Sequence, residues 1–371
     1  MDQAALTRLW AMIVKELWAV LRDPHARLVL VVPPLLQLFV FGFATTLEVK
    51  NVDVALYDRD GGVWAQEFTM RLAGSPNIRS IVPIHSPAEL RDAIDNRKVI
   101  AAVAIDDRFS TDIAAGRPGT IQVILDGRRS NASQIVASYL GRIANDLGAT
   151  IRPQMAKAAG RSITTHWFNP NLDYLWFTMP SLIVIIGAVS AMSVTAQSVA
   201  RERELGTFDQ LMVSPLRLHE ILIGKMVPPF LIGLANAILY TLLIPTLFGV
   251  PLTGSVPLFY IALSFYLLSL IGVGMLISSL SQTQQQAFLG MFLTTVPAIL
   301  LSGYASPIDN MPGWLQVIAQ LNPPKHFLIV SEGVFLKAMP ARDILANTWP
   351  LMAIAAVTLT AATLLFRARM E

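Results

Sequence analysis

The sequence predicts an α-helical polytopic membrane protein with six spans and an inserted mixed α/β extracytoplasmic domain. Its composition indicates a membrane class, because 54% of the 371 residues are hydrophobic, 14% are charged and the mean hydropathy is +0.54. Two long apolar runs strengthen the case. Residues 174–200 contain no Asp, Glu, Lys, Arg or His, and residues 221–256 contain only Lys225. Each run exceeds the ~20 helical residues that cross a bilayer.

Charge and cysteine content narrow the possible functions. The formal net charge of +3 is small and gives no indication of a nucleic-acid partner. The absence of cysteine excludes disulfides, thiolate catalysis and thiolate metal sites. More than half of the charged side chains lie in residues 48–173, which therefore predict a soluble domain between the first two spans.

Residues 1–25 predict an amphipathic helix at the membrane interface. One face is apolar, and Arg8, Lys15, Glu16 and Arg22 lie off it; the apolar stripe comprises Leu6, Leu9, Trp10, Ile13, Val14, Leu17 and Leu21. A helix packed on a soluble core would show the same pattern.

Residues 26–47 form the predicted first span. The basic residues Arg22 and Arg27 before it place the N-terminus in the cytoplasm. Pro33 and Pro34 should bend this span, because they remove backbone donors.

The domain at 48–173 reads as alternating strands and helices, which is typical of a small α/β fold. The predicted strands are 52–57, 78–84, 99–105 and 120–125, and the predicted helices are 63–72, 88–96 and 108–115. Residues 130–159 favour one long helix that could form a stalk. Because one span separates the domain from a cytoplasmic N-terminus, we expect the domain outside the cytoplasm, in the periplasm of a Gram-negative cell. His85 and His166 have no partners at metal-ligand spacing, so neither a catalytic nor a metal site is predicted.

The most charge-dense segment between two apolar runs is residues 201–225. Leu205, Phe208, Leu211 and Met212 recur at helical spacing, which predicts a short surface helix near residues 202–214. The simplest interpretation is a positive-inside loop that only fixes orientation through its basic residues Arg201, Arg203, Arg217 and Lys225.

Residues 174–371 carry the five further predicted spans. Between the fifth and sixth, residues 304–342 hold several prolines and two apolar segments that are too short to cross the bilayer. Taken alone, these segments read as an outer loop with two surface helices. Arg367 and Arg369 return the C-terminus to the cytoplasm.

The run ERELGTFDQLMVSPL followed by EILIGK resembles the coupling segment of membrane subunits of type-2 ATP-binding-cassette exporters, in the variant with a large domain after the first span. The resemblance covers nearly the whole chain. It implies contact with a cytoplasmic ATPase through a defined set of residues: Glu202, Arg203, Glu204, Leu205, Gly206, Thr207, Phe208, Leu211, Ser214, Pro215, Glu220, Gly224 and Lys225. It also implies that the N-terminal helix contributes to binding of that ATPase.

The same resemblance implies short re-entrant outer helices near residues 304–342. The matching positions are Gly303, Pro307, Pro312, Asn322, Pro323 and Gly333. This chain departs from the family pattern at Glu332, where a basic residue is usual before the glycine.

No nucleotide-binding loop is present, since Gly224-Lys225-Met226 lacks both the upstream glycine and the hydroxyl residue. The resemblance therefore implies a non-enzymatic permease of the bacterial inner membrane, whose partner ATPase binds ATP and Mg²⁺, and which forms the path with a second permease, identical or homologous. Membrane lipids surround it, and a periplasmic adaptor is a further conceivable partner. The alternative is a membrane-anchored sensor or assembly scaffold with a ligand-binding periplasmic domain.

The expected cargo is amphipathic or hydrophobic: a drug, a lipid or a lipid-linked molecule. The spans supply hydroxyl and amide groups without counter-charges: Gln37, Ser181, Ser190, Ser193, Thr195, Asn236, Thr294 and Thr295. Small polar residues of this kind also join helices to one another, so both roles stay open.

Overall fold

A computed structural model describes residues 3–22, 24–44, 51–96, 98–151, 168–169, 173–208, 210 and 213–368. The chain divides into two compact units. One unit comprises Met1–Thr45 with His166–Glu371, and the other comprises Thr46–Thr165.

The first unit is helical. Its described helices are α1 (Gln3–Arg22), α2 (Pro24–Ala44), α7 (Tyr174–Glu204), α8 (Leu218–Phe248), α9 (Val256–Leu280), α10 (Gln284–Leu300), α11 (Gly313–Gln320), α12 (Pro323–Leu336) and α13 (Ala341–Ala368). Among them, α9 lies at the centre and contacts α7, α8, α12 and α13. Its core side chains, such as Phe259, Leu263, Tyr266 and Ile271, are almost fully buried.

Four of the described helices are long and apolar enough to cross a membrane: α7, α8, α9 and α13. The predicted count of six spans is not confirmed. Helix α2 has 21 residues, and its apolar stretch Val32–Phe43 lies in the part whose side chains the structure describes; α10 has 17 residues. A helix of that length rises about 25 Å, which is less than the ~30 Å of the hydrocarbon layer.

The second unit, called the inserted domain below, contains a four-stranded sheet in the order β2-β1-β3-β4. Its elements are β1 (Val52–Asp58), α3 (Val63–Ala73), β2 (Ile78–Pro83), α4 (Pro87–Asp95), β3 (Ala101–Ile105), α5 (Phe109–Ala114), β4 (Ile121–Leu125) and α6 (Ser130–Ile151). Strand β1 pairs in parallel with β2 and β3, and β4 is antiparallel to β3. The positions predicted for these strands and short helices are confirmed to within about two residues.

The two faces of this sheet are covered unequally. Helices α3, α5 and α6 pack on one face, against Val54, Leu56 and Val103. The other face carries the smaller cluster around Ala55, Ala102 and Leu90 of α4. The described part of the predicted stalk is α6, and its Val136, Leu140 and Leu147 are buried in the larger core. The predicted helix is therefore present over residues 130–151, and these buried side chains pack it on the sheet.

Candidate functional site

The last turn of α7 carries Glu202, Arg203 and Glu204: Glu202 pairs with lysines of two other helices, and Arg203 and Glu204 each bind a helix end. Glu202 Oε1 lies 2.9 Å from Lys225 Nζ, near the start of α8, and 3.5 Å from Lys15 Nζ on α1. Because consecutive helical residues point about 100° apart, one turn can reach three neighbours at once.

Lys225 is the centre of this arrangement. Its side chain is 0% exposed, and its Nζ lies 2.9 Å from Glu202 Oε1, 3.4 Å from Glu16 Oε1 and 3.5 Å from Ser198 Oγ. A buried cation costs several kcal/mol of desolvation unless it is paired, so the two carboxylates are required for its burial. We call Lys15, Glu16, Glu202 and Lys225 the charged junction.

Arg203 binds the C-terminal end of α9. Its Nη1 donates to the carbonyl oxygens of Ser279 at 2.8 Å and Ser281 at 3.1 Å. The last carbonyls of a helix have no intrahelical partners and carry partial negative charge, so a guanidinium is a favourable cap. The same guanidinium lies 5.0 Å from the ring of Phe208, which in turn contacts the ring of Phe366 on α13 at 5.9 Å.

Glu204 binds the opposite kind of helix end. Its Oε2 accepts from the backbone N–H of Gln284 at 2.8 Å and from the Gln284 side-chain amide at 3.2 Å. Gln284 is the first residue of α10, where free N–H groups carry partial positive charge. Adjacent residues of α7 thus hold the end of α9 and the start of α10.

Gly206 ends α7 in the left-handed region, with φ +69°. A Cβ built on Gly206 meets nothing within 4 Å, so within this chain the glycine is needed for its backbone conformation and not for close approach. Apolar side chains that precede and follow it in the sequence are accessible: Leu205 is 63% exposed and Val213 is 86% exposed. Thr207 and Pro215 are also exposed, Ser214 is half-buried, and the predicted site residue Leu211 lies outside the described residues.

Each of the three fixed residues of the E-x-x-x-G-K motif, Glu220, Gly224 and Lys225, contacts a residue of α1. Glu220 is 2% exposed and accepts from Arg8 Nη2 at 3.1 Å and from the backbone N–H of Arg217 at 2.8 Å. One turn later, a Cβ on Gly224 would lie 2.4 Å from Met12 Cγ, so only glycine permits this approach. Lys225 then pairs with Glu16, as described above.

The sequence analysis placed Arg8, Lys15 and Glu16 on α1 but did not identify them as partners of the motif. The spacing of Arg8, Met12 and Glu16, four residues apart, puts them on one helix face and is the only local signal of this contact.

Most of the residues predicted for the outer segment near 304–342 lie in turns or at the starts of short helices. Gly303 has φ +97°, Pro307 precedes a 3₁₀ turn, and Pro312 precedes α11. Asn322 Nδ2 donates to the carbonyl of Ala298 at 2.6 Å, and Pro323 is the first residue of α12.

Helix α12 is fixed against α7 by two serines. Ser331 Oγ donates to the carbonyl of Pro180 at 2.8 Å, and Ser181 Oγ lies 3.3 Å from Glu332 Oε1. Gly333 is adjacent in α12, where an added Cβ would lie 2.5 Å from Met339 Sδ. The glycine therefore makes room for the chain as it leaves the helix.

Several polar residues proposed for the cargo path are buried within the single chain. Ser181, Ser190, Thr195 and Thr295 are each less than 8% exposed. Thr195 Oγ1 donates to the carbonyl of Ala191 in its own helix at 2.7 Å. The Thr195 bond lies within one helix, whereas the contact of Ser181 with Glu332 on α12 favours the helix-joining role for Ser181.

The apolar helices of the bundle are those of a polytopic membrane protein. Residues 28–364 match the family described as ABC-2 family transporter protein, and the chain belongs to that family.

Named relatives span almost the whole chain. It is 43% identical over 361 residues to the probable multidrug ABC transporter permease YbhR of Escherichia coli (strain K12), covering 97% of this chain and 98% of the relative. It is 31% identical over 339 residues to the probable multidrug ABC transporter permease YbhS of the same organism, with 89% and 88% covered. It is 22% identical over 387 residues to the linearmycin resistance permease protein LnrN of Bacillus subtilis (strain 168), with 95% and 97% covered.

Proposed function

We propose that this chain is the permease subunit of an ATP-driven exporter of amphipathic or hydrophobic molecules, in the bacterial inner membrane. A separate cytoplasmic ATPase binds ATP and Mg²⁺ and docks on the segment around residues 205–215. A second permease, identical or homologous, completes the path. Family membership supports the ATPase and the second permease, and the names of the relatives YbhR, YbhS and LnrN support the cargo class.

The observation that carries the proposal is the division of roles within residues 202–213. The charged side chains bind other helices of the same chain, whereas the apolar side chains of Leu205 and Val213 are exposed. Exposed apolar side chains beside a rigid helix end fit a docking surface for a protein partner. A displacement of this segment would move the end of α7, and with it α1 and the bonded ends of α8, α9 and α10.

The proposed topology has six spans and both termini in the cytoplasm, with the first span in α2, the fifth in α10 and residues 48–173 in the periplasm. Exposed apolar side chains on α2 and α10, among them Leu36, Phe39, Phe288 and Leu293, support contact of these two helices with lipid or with the second permease. Because the chain has no cysteine, single cysteines test the topology. With an impermeant maleimide on intact cells, Met70→Cys should react, whereas Val213→Cys and Gln282→Cys should not. Labelling of position 213 from outside contradicts the proposed orientation.

The docking surface is tested by placing a charge on it. Leu205→Asp and Val213→Asp should each abolish the stimulation of ATP hydrolysis in the reconstituted complex, because a buried unpaired carboxylate disfavours the contact. The melting temperature of the isolated permease should stay unchanged, since both side chains are exposed. Val63→Asp is the matched control, because Val63 is 75% exposed in the inserted domain. Normal stimulation by both variants would refute docking at this segment.

A further inference from the structure

The inserted domain contains a groove with a volume of about 760 Å³ on the face of its sheet that carries α4. The groove is lined by the carboxyl ends of two neighbouring parallel strands. Tyr57 and Arg59 lie at the end of β1, and Ala104 and Asp106 lie at the end of β3. Pro87 of α4 lies at its side. Small-molecule sites in proteins have volumes of roughly 300–1,000 Å³, so the groove is of ligand size.

The topology of the sheet places this groove at a characteristic position. From β1 the chain passes through α3 to β2 on one side, and then through α4 to β3 on the other side of β1. Helices α3 and α4 lie on opposite faces. The boundary between β1 and β3 is therefore where the strand order reverses, and ligands of open α/β sheets bind beyond the carboxyl ends of the strands at such a point.

The strand register explains why there is space. Tyr57, Ala104 and Gln122 are directly paired across β1, β3 and β4. Side chains alternate between the faces of a strand, so these three share the face that carries α4. The alanine in the middle leaves a depression between the Tyr57 ring and the Gln122 side chain, and Leu90 of α4 bounds it.

The polar edge of the groove combines one guanidinium, one carboxylate and neutral groups that can donate or accept hydrogen bonds. The guanidinium of Arg59 lies 5.8 Å from the centre of the Tyr57 ring and donates to Asp106 Oδ1. That oxygen also accepts from the backbone N–H of Asp107 at 3.0 Å. Thr120 and Gln122 line the same groove, and their side chains make no hydrogen bond among the described residues.

A nucleotide-like ligand does not fit the nearby helix start. Asp60 Oδ2 accepts from the backbone N–H of Gly62, and Asp60 Oδ1 accepts from that of Ser110 at 3.2 Å. The domain's own carboxylate thus occupies the start of α3, where a phosphate would bind in a nucleotide site.

We propose that this groove binds a small amphipathic anion. Its flat apolar body lies over Ala104 against Tyr57 and Leu90, and its carboxylate or sulfonate accepts from Arg59. This inference goes beyond the proposed export function, because it concerns binding by the inserted domain and requires neither the ATPase nor transport.

The test uses the full-length permease in lipid nanodiscs and two probes with the same ring system. The first is the anion 1-anilinonaphthalene-8-sulfonate, and the second is neutral N-phenyl-1-naphthylamine. Labelling of Gln122→Cys by a methanethiosulfonate reagent should slow at least about threefold at saturating anion, because the bound probe covers position 122. Val123→Cys is the matched control, since Val123 is 37% exposed on the opposite face of the same strand and experiences the same lipid-bound probe.

Arg59→Gln should raise the concentration of the anion that half-protects position 122 about tenfold, the effect of one lost charged hydrogen bond. The neutral probe should protect position 122 more weakly than the anion does, and Arg59→Gln should leave that protection unchanged. Arg117→Gln, which removes another exposed arginine of the domain, should have no effect. Equal protection at positions 122 and 123, no protection at all, or an unchanged half-protecting concentration in Arg59→Gln would overturn the proposal.

Discussion

The two ends of helix α7 are held by different kinds of contact. At its start, α7 meets α12 through hydroxyl groups: Ser331 donates to the carbonyl of Pro180, and Ser181 approaches Glu332. At its last turn, Glu202 pairs with a fully buried lysine, and Arg203 and Glu204 bind helix termini. Hydroxyl contacts between membrane helices contribute on average ~0.6 kcal/mol each, whereas breaking a buried ion pair costs ~3–5 kcal/mol. The comparison indicates that the helix is fixed firmly at its charged end and weakly at its start.

The largest expected effect is that of Lys225→Met. It leaves Glu202 and Glu16 without their buried partner, at a cost of ~3–5 kcal/mol. The melting temperature of the purified permease should fall by on the order of 10 °C. The double variant Lys225→Met with Glu202→Gln should recover part of this loss, and Lys337→Met, at an exposed position, should melt normally. If Lys225→Met melted like the unmodified protein, the charged end would not be the firmer one.

The second effect is that of Arg203→Gln. It removes charged hydrogen bonds to the carbonyls of Ser279 and Ser281, which together contribute ~1.5–3 kcal/mol. We expect the melting temperature to fall by roughly half as much as in Lys225→Met, and the ATPase stimulation to fall with it. Arg203→Lys keeps the positive charge near the end of α9 and should recover part of both. Equal behaviour of the Gln and Lys variants would show that the charge at this helix end is unimportant.

The third effect concerns the contact of α8 with α1. Gly224→Leu places a side chain where Met12 lies and should cost ~1–3 kcal/mol. Trypsin should then cleave after Arg8 and Lys15 faster, because α1 separates from α8. Adding Met12→Ala should slow the cleavage again. Gly148→Leu is the control, since a Cβ at Gly148 meets nothing within 4 Å. Unchanged cleavage in Gly224→Leu would mean that the contact does not hold α1.

The smallest effect is expected at the other end of α7. Ser331→Ala removes one hydroxyl contact with the carbonyl of Pro180 and should cost ~0.6 kcal/mol, a shift of about 2 °C in the melting temperature. Ser302→Ala is the control, because the Ser302 hydroxyl donates to the carbonyl of Ile299 and accepts from the N–H of Tyr304, which are local contacts and not contacts between α7 and α12. A loss in Ser331→Ala as large as that in Lys225→Met would abolish the distinction between the two ends.

The sequence predicts those elements whose signals are local. Strand β1 reads as a short β-rich run before the polar turn Asp58–Gly62, and Pro87 at the start of α4 is a known helix-start signal. The apolar runs of α7 and α8 are long enough to predict spans directly. Helix α10 has only 17 residues, and α2 is interrupted by Pro33 and Pro34, so the sequence indicates these two spans less directly than α7 and α8.

The contacts of the site could not be predicted in the same way. Arg8 and Glu220 are 212 positions apart in the chain, and Glu16 and Lys225 are 209 apart. No local spacing relates such residues, and each alone reads as a charge that fixes orientation. The resemblance to the exporter family identified the motif residues but assigned Glu202 and Glu204 to a partner protein. In the structure, both carboxylates have partners within their own chain.

The acceptors of Arg203 are main-chain carbonyls, whereas the partners of Lys225 are side chains. This difference has an evolutionary consequence. A carbonyl is present whatever residue carries it, so the Arg203 contact places no demand on the amino-acid types at positions 279 and 281. The ion pairs do place such a demand. In a lineage that loses the cation at position 225, the carboxylates at 16 and 202 are left without a partner and destabilise the protein until further substitutions replace them. Among ABC-2 permeases, substitutions at positions 279 and 281 should therefore be uncorrelated with position 203, whereas those at positions 16, 202 and 225 should be correlated with one another.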